Sequence, residues 1–313
     1  MNSAESEFFR EYGISYMETI GKGCFGIIFQ VYSSKYKTNF ALKRIPSKLY
    51  NESETECLNR IDHPRIVRLY NIFKFNNNIY LLMELCPTDL MKLAKHKISD
   101  SNLIKYVFEM IGCIKVCHDF NIAHNDIKPS NFLLDQYGHV KICDFGLSKI
   151  YTENPMSFDK KGSKYYMAPE MFANSMYNPI VTDIWALGVT IYYLSTSTYP
   201  FDAETEEQLV EKINNCKYST ELIKDNRLRD LIARCLVVNP KERANVNELL
   251  NMPYFSAPRT NVWIEPGSLF KNRKNCKTHD CILKPKIENN SPLYRRMFPH
   301  SHQARIRYIS NNF

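Results

Sequence analysis

Gly21-Lys22-Gly23-Cys24-Phe25-Gly26 runs directly into Ile27-Ile28-Phe29-Gln30-Val31. Closely spaced glycines let a backbone turn tightly and present its amides to an anion. In a dinucleotide-binding unit such glycines open a helix. Here β-branched and aromatic residues follow, which favours a strand, so the glycines are read as the tip of a hairpin. Residues 16–44 then read as strand, glycine turn, strand and strand. The last of these is Phe40-Ala41-Leu42-Lys43, apolar except for one lysine. Seventeen residues after a glycine turn, that lysine is a candidate phosphate ligand.

Glu52, Glu54 and Glu56 lie in the next helix, which ends before Asp62-His63-Pro64. Glu54 is four residues before Leu58 and shares its face, where a carboxylate can pair with Lys43. Residues 65–75 and 78–85 read as two strands turning at Asn76-Asn77. Beyond Pro87 the pattern becomes helical: a start at Asp89-Leu90, a periodic run over 103–119, an apolar helix within 180–199, and helices over 206–214, 226–235 and 246–250. Residues 147–167 have little periodicity and read as a loop. A strand-rich first third followed by a helix-rich remainder predicts an α+β chain in two lobes.

With 44% hydrophobic and 24% charged residues in 313, the composition is that of a soluble globular protein. Ten scattered cysteines without a CxxC pair read as reduced thiols of a cytoplasmic protein. Cys276, His279 and Cys281 fall one ligand short of a structural zinc set. Residues 1–15 read as a leader without signal-peptide character. The 180–199 segment contains Asp183 and several hydroxyls, as a buried core helix does and a membrane span does not. The net charge of +8 is uneven: residues 1–255 hold 30 basic and 30 acidic side chains, residues 256–313 hold 11 and 3. The tail, 256–313, is therefore a cationic appendage, read as disordered. Its charge suits an anionic partner, but no aromatic-basic stripe indicates nucleic acid.

The chemistry concentrates in His124-Asn125-Asp126-Ile127-Lys128-Pro129-Ser130-Asn131 and Asp144-Phe145-Gly146. One carboxylate can orient a hydroxyl and the other can hold a cation. A lysine can neutralise a phosphate, and an amide can ligate a metal. Phosphoryl transfer draws on this set, because its catalysis is mostly positioning and charge neutralisation.

In order and spacing these motifs resemble the eukaryotic protein kinase family over residues 16–255. The resemblance implies the two-lobed kinase fold, with a β-rich small lobe over 16–85 and a helical large lobe over 86–255. It implies ATP and Mg2+ as cofactors and protein serine or threonine hydroxyls as substrates. By resemblance, Ile20, Gly21, Gly23 and Gly26 cover the nucleotide, Lys43 binds its α- and β-phosphates, and Glu54 pairs with Lys43. Ala41, Ile28 and Leu133 enclose the adenine. Met83 is the gatekeeper, and the backbone of Glu84 and Cys86 bonds the adenine edge. Asp126 is the catalytic base, Lys128 the γ-phosphate partner, and Asn131 and Asp144 the metal ligands. Leu58, Leu69, His124 and Phe145 form the apolar column of an active kinase, Asp183 braces the catalytic loop, and Glu170 pairs with Arg243. Lys128 and the run from Gly162 through Glu170 indicate the serine/threonine class. Residues 133–149 are most similar to the calmodulin-dependent/AMP-activated kinase-like group. A pseudokinase scaffold is the alternative, but it requires the loss of Lys43, Asp126 or Asp144, and all three are present.

Three departures stand out. Asn125 occupies the place of an arginine that in most members pairs with a phosphate on the activation loop. A neutral amide forms no charge-assisted pair, so activation is expected not to depend on phosphorylation at Thr152 or Ser157. The segment 84–90 is short and lacks the usual glycines, leaving Asp89 to reach the ribose or a basic substrate residue. Ser130 replaces an acidic residue of strongly basophilic kinases. In the tail, Arg305-Ile306-Arg307-Tyr308-Ile309-Ser310 resembles a phosphorylation site, as an autoinhibitory segment would.

Overall fold

The computed structural model describes residues 1–256 apart from 24, 25, 153 and 174. The tail readings at Cys276, His279, Cys281 and 305–310 lie outside the described residues. Chain order begins with α1 (Ser3–Glu11), β1 (Ile14–Gly23), β2 (Gly26–Ser33), β3 (Thr38–Pro46), α2 (Glu52–Arg60), β4 (Leu69–Phe75) and β5 (Asn78–Glu84). The five strands form one antiparallel sheet in the order β1-β2-β3-β5-β4. Ile28 lies opposite Lys43, Ala41 opposite Met83, and Lys43 opposite Leu81. Opposed residues share a face and neighbours alternate. One face therefore carries Ile28, Ala41, Lys43, Leu81 and Met83. The other carries Phe29, Phe40, Leu42, Arg44, Tyr80 and Leu82.

That second face is covered by α1, which lies within the residues read as a leader. Asn2 and Glu5 form a reciprocal capping box at the helix start, satisfying two free backbone amides. Phe9 is fully buried between Phe73 and Tyr80, with ring centroids 5.3 and 4.9 Å away, and Phe8 stacks on Phe75 at 4.4 Å. Glu5 is buried too, and its Oε1 accepts from Tyr80 Oη and Arg44, each at 2.7 Å. Burial opposes its charge, but these bonds outweigh it and hold the carboxyl below its usual range. The segment contains too few apolar positions to show a helical period, so its helix follows from docking on the sheet.

The strand read over 65–75 begins only at Leu69. Its first residues pair instead with the other lobe: Ile66 bridges Ile142, and Val67 donates to the Ile142 carbonyl at 3.0 Å. The larger lobe continues with β6 (Thr88–Asp89), α3 (Leu90–Leu93), α4 (Asp100–Asp119), β7 (Ile122–Ala123), β8 (Phe132–Leu134), β9 (Val140–Ile142) and β10 (Lys149–Ile150). It ends with α5 (Pro169–Phe172), α6 (Pro179–Thr196), α7 (Glu206–Asn214), α8 (Asn226–Cys235) and α9 (Val246–Leu250). Asn, Asp, Ser or Thr side chains cap α4, α6, α7, α8 and α9, satisfying amides the helices leave free.

Helix α6 is the hub of this lobe, with Trp185, Leu187, Val189 and Ile191 fully buried. At Gly188 a Cβ would lie 2.5 Å from Cys235 Cβ, so a glycine lets α6 approach α8 closely. Among the described residues no helix is long and apolar enough to cross a membrane. The strand β10 lies inside the stretch read as loop, because it is fixed by pairing with β7 rather than by its own pattern.

Candidate active site

Three charges meet between the lobes. Lys43 Nζ, on β3, lies 2.6 Å from Glu54 Oε1 on α2 and 2.8 Å from Asp144 Oδ1. Lys43 and Glu54 are buried, whereas the Asp144 side chain is 27% exposed. Burial opposes the lysine's charge, but two carboxylates outweigh it and raise its pKa. One ammonium cannot satisfy both carboxylates equally. At Glu54 burial dominates and raises the pKa, with Asp144 adding repulsion. At Asp144 burial is overcome by Lys43, so its carboxyl sits below its usual range and is ionised at neutral pH.

The second cluster is the loop between β7 and β8. Asp126 Oδ2 is 2.7 Å from Lys128 Nζ and accepts from Asn131 Nδ2 at 3.0 Å. Asn131 Nδ2 also donates to the Asp126 carbonyl at 2.7 Å, which leaves the Asn131 amide oxygen for another partner. Asp126 Oδ1 receives only a 3.4 Å contact from the Ser163 hydroxyl, and Lys128 reaches the same hydroxyl at 3.4 Å. The carboxylate is thus fixed firmly through one oxygen and contacted at 3.4 Å at the other.

The loop is held from below by Asp183 at the base of α6. Its carboxylate accepts from the His124 amide at 2.8 Å and the Asn125 amide at 2.9 Å, and lies 3.1 Å from His118 Nε2. His124 Nε2 donates to the Cys143 carbonyl at 3.0 Å, and its ring meets Phe145 edge-on at 5.0 Å. Leu58, Leu69, His124 and Phe145 are all buried. Asn125 and Asp144 have φ of 63° and 64°, a left-handed conformation that Asn and Asp adopt more readily than most residues. Farther out, Arg243 grips Glu170 with two nitrogens, at 2.6 and 2.8 Å.

The nucleotide-side residues surround these clusters. Gly21 pairs with Ile28, and Gly23 with Gly26 at the end of the hairpin. At Gly26, with φ of 145°, a Cβ would lie 2.0 Å from the Arg44 carbonyl, so the turn fits against β3 only with glycine there. Ile20 is 39% exposed on β1. Ala41 and Met83 are paired on the inner sheet face, and Leu133 is half-buried on β8 opposite Asp89. The Glu84 carboxylate bonds Lys141 at 2.9 Å, and its amide donates to the Arg68 carbonyl at 2.9 Å. Burial first, and Glu84 second, push the Cys86 thiol up to about 12. Asp89 is occupied locally, accepting from the Lys92 amide at 2.8 Å.

Sequence reasoning missed several contributors. Asn51 and Ser53 reach the backbone after Asp144, Ser148 donates to the His124 carbonyl at 3.0 Å, and His118 meets Asp183. Only Asn51 carried a local signal, as an amide immediately before a helix. By donor chemistry, the ionised carboxylate of Asp144 and the amide oxygen of Asn131 are hard oxygen ligands of the kind a divalent cation takes.

A model of the protein kinase domain family matches residues 14–255. The carbon catabolite-derepressing protein kinase of Candida glabrata is 31% identical over 249 residues, 76% of this chain and 41% of that protein. The SNF1-like protein kinase ssp2 of Schizosaccharomyces pombe is 30% identical over 249 residues, 76% and 43% respectively. The probable serine/threonine-protein kinase MARK-A of Dictyostelium discoideum is 32% identical over 257 residues, 78% and 24%. The chain spans less than half the length of these relatives.

Proposed function

The chain belongs to the protein kinase domain family, and from that membership we propose a serine/threonine protein kinase that moves the γ-phosphate of ATP to protein hydroxyls. The observation that carries this reading is the state of Asp126, whose Oδ2 is held by Lys128 and Asn131 while Oδ1 has just the 3.4 Å contact from the Ser163 hydroxyl. A substrate hydroxyl at Oδ1 is oriented for in-line attack and gives up its proton to this carboxylate as the new P–O bond forms and the bond from the γ-phosphorus to the bridging oxygen breaks, releasing ADP. Lys128, on the same side, offsets negative charge on the transferring phosphoryl group. Lys43, held by Glu54, binds the phosphates that stay behind, beneath the glycine hairpin.

Asp144 and Asn131 would hold Mg2+ through oxygen atoms. The bound ion supplies neutralisation of the phosphate oxygens. Lys128, together with the names of the relatives, supports the serine/threonine class, and the relatives support the AMP-activated kinase-like group.

Regulation follows from Asn125, whose amide donates to the Leu147 carbonyl at 3.0 Å and offers no cation to a phosphate. Activity then needs no phosphate on the activation segment. The cysteines among the described residues are unpaired, as the reducing cytoplasm requires. Phosphorylation of a peptide library with Mg2+-ATP, followed by identification of the modified hydroxyl, tests the assignment. Phosphotyrosine alone would refute the class, and deleting 257–313 with unchanged activity would remove a regulatory role for the tail.

A further inference from the structure

Three successive carbonyls after Phe145 are each taken by a neutral side chain from elsewhere. Gly146 O accepts from Asn51 Nδ2 at 3.2 Å, Leu147 O from Asn125 Nδ2 at 3.0 Å, and Ser148 O from Ser53 Oγ at 3.1 Å. The Ser148 hydroxyl returns to the His124 carbonyl at 3.0 Å. Asn51 caps α2 and Ser53 sits in its first turn, next to Glu54. These bonds tie together the helix that carries Glu54, the loop that carries Asp126 and the segment that follows Asp144.

The bonds involve no group that titrates near neutrality, so a change of pH there does not switch them. Beside them lies a cavity of about 250 Å³. Both lysines lining it are engaged: Lys161 with Asp159 at 3.0 Å, and Lys149 over the Tyr151 ring at 5.5 Å. Among the described residues no guanidinium lines this cavity, and the segments are joined by neutral bonds instead of around an anion.

We propose that Asn51 and Ser53 are positioning residues for phosphoryl transfer: they clasp the first turn of α2 onto carbonyls 146 and 148 and so hold Glu54 against Lys43 without a charge on the activation segment. The proposal rests on the kinase reading and names the device that keeps its site assembled. Losing two neutral hydrogen bonds shifts the population of the assembled arrangement by roughly tenfold.

The test uses the phosphatase-treated full chain. Asn51→Asp keeps an oxygen to cap the Ser53 amide but has no donor for Gly146. Ser53→Ala removes the hydroxyl, and Ser53→Thr retains it. The double variant N51D/S53A is expected to lose about tenfold in kcat/KM for ATP, with Tm lowered by no more than about 6 °C. Ser53→Thr is expected to keep activity within about twofold of wild type. Full activity in the double variant, or an equal loss in Ser53→Thr and Ser53→Ala, overturns the proposal. If the double variant does not fold, the Ser53→Ala and Ser53→Thr pair decides alone. A wild type that transfers no phosphate overturns the kinase reading and the clasp with it. An active wild type with an equally active double variant overturns the clasp only.

Discussion

Lys43 Nζ and Glu54 Oε1 lie 2.6 Å apart with both side chains buried, although one sits on the small-lobe sheet and the other on the helix behind it. Lys43 has a second carboxylate, Asp144, whereas among the described residues Glu54 bonds the lysine alone. That asymmetry sets the electrostatics of the site and gives the first prediction.

Burial raises the Glu54 pKa above its ordinary value of 4.5. As pH falls, Glu54 therefore takes a proton before an ordinary glutamate would, and the ion pair is lost. Activity should decline on the acid side at a pH above 4.5, the ordinary value. Stability moves the other way for this group, because the folded state holds that proton more tightly than the unfolded chain. The raised Lys43 pKa makes its contribution fully present below the unfolded value near 10.4, and lost only as pH rises through the folded value. Glu54→Gln should lower kcat/KM by roughly 10–100-fold and abolish the acid limb. A pH–rate profile of both proteins checks this.

Asp126→Asn keeps the side-chain volume and an oxygen for Lys128, but removes the proton acceptor. kcat should fall by roughly 10²–10⁴-fold, with little change in the KM for ATP, since nothing in the nucleotide contacts is altered. Steady-state kinetics together with a thermal melt separate this from unfolding.

The helix α1 should behave as part of the small lobe. Phe9→Ala removes a fully buried ring and should cost about 3–5 kcal/mol. At roughly 2–4 °C per kcal/mol for a domain of this size, Tm should drop by about 6–20 °C. Calorimetry measures it. An unchanged Tm would mean that α1 does not dock in solution.

Phosphatase treatment should leave activity within about twofold, since no charge-assisted pair depends on a phosphate. Ser157 is buried, its backbone bridges Tyr177, and its hydroxyl accepts from the Asp159 amide at 3.0 Å. Thr152 is exposed and is the residue of the two that a second kinase can reach. Mass spectrometry before and after treatment, alongside rates, tests the expectation.

Much of this architecture is legible in the chain itself, for identifiable reasons. Helices α7, α8 and α9 span the predicted residues because Thr205, Asp225 and Asn245 cap them and their apolar residues recur at helical spacing. Lys43, Asp126, Lys128, Asn131 and Asp144 are picked out by short linear motifs, and the structure brings Lys43 to Asp144 and Asp126 to Lys128 and Asn131. The helix α1 is not, because its stability comes from Phe73, Phe75 and Tyr80, more than 60 residues away. The start of β4 at Leu69 and the strand β10 likewise depend on partners in distant segments. Asn51 and Ser53 bond carbonyls 95 residues further on. A backbone carbonyl has no sequence signature, so no local pattern announces such a contact.

The most direct measurement is phosphate transfer from Mg2+-ATP to a serine/threonine peptide library by wild type, Asp126→Asn and Asp144→Ala. Wild type is expected to phosphorylate serine or threonine, and both variants to fall by at least roughly 10²-fold while remaining folded. A folded wild type that transfers nothing, or variants as active as wild type, would contradict this expectation.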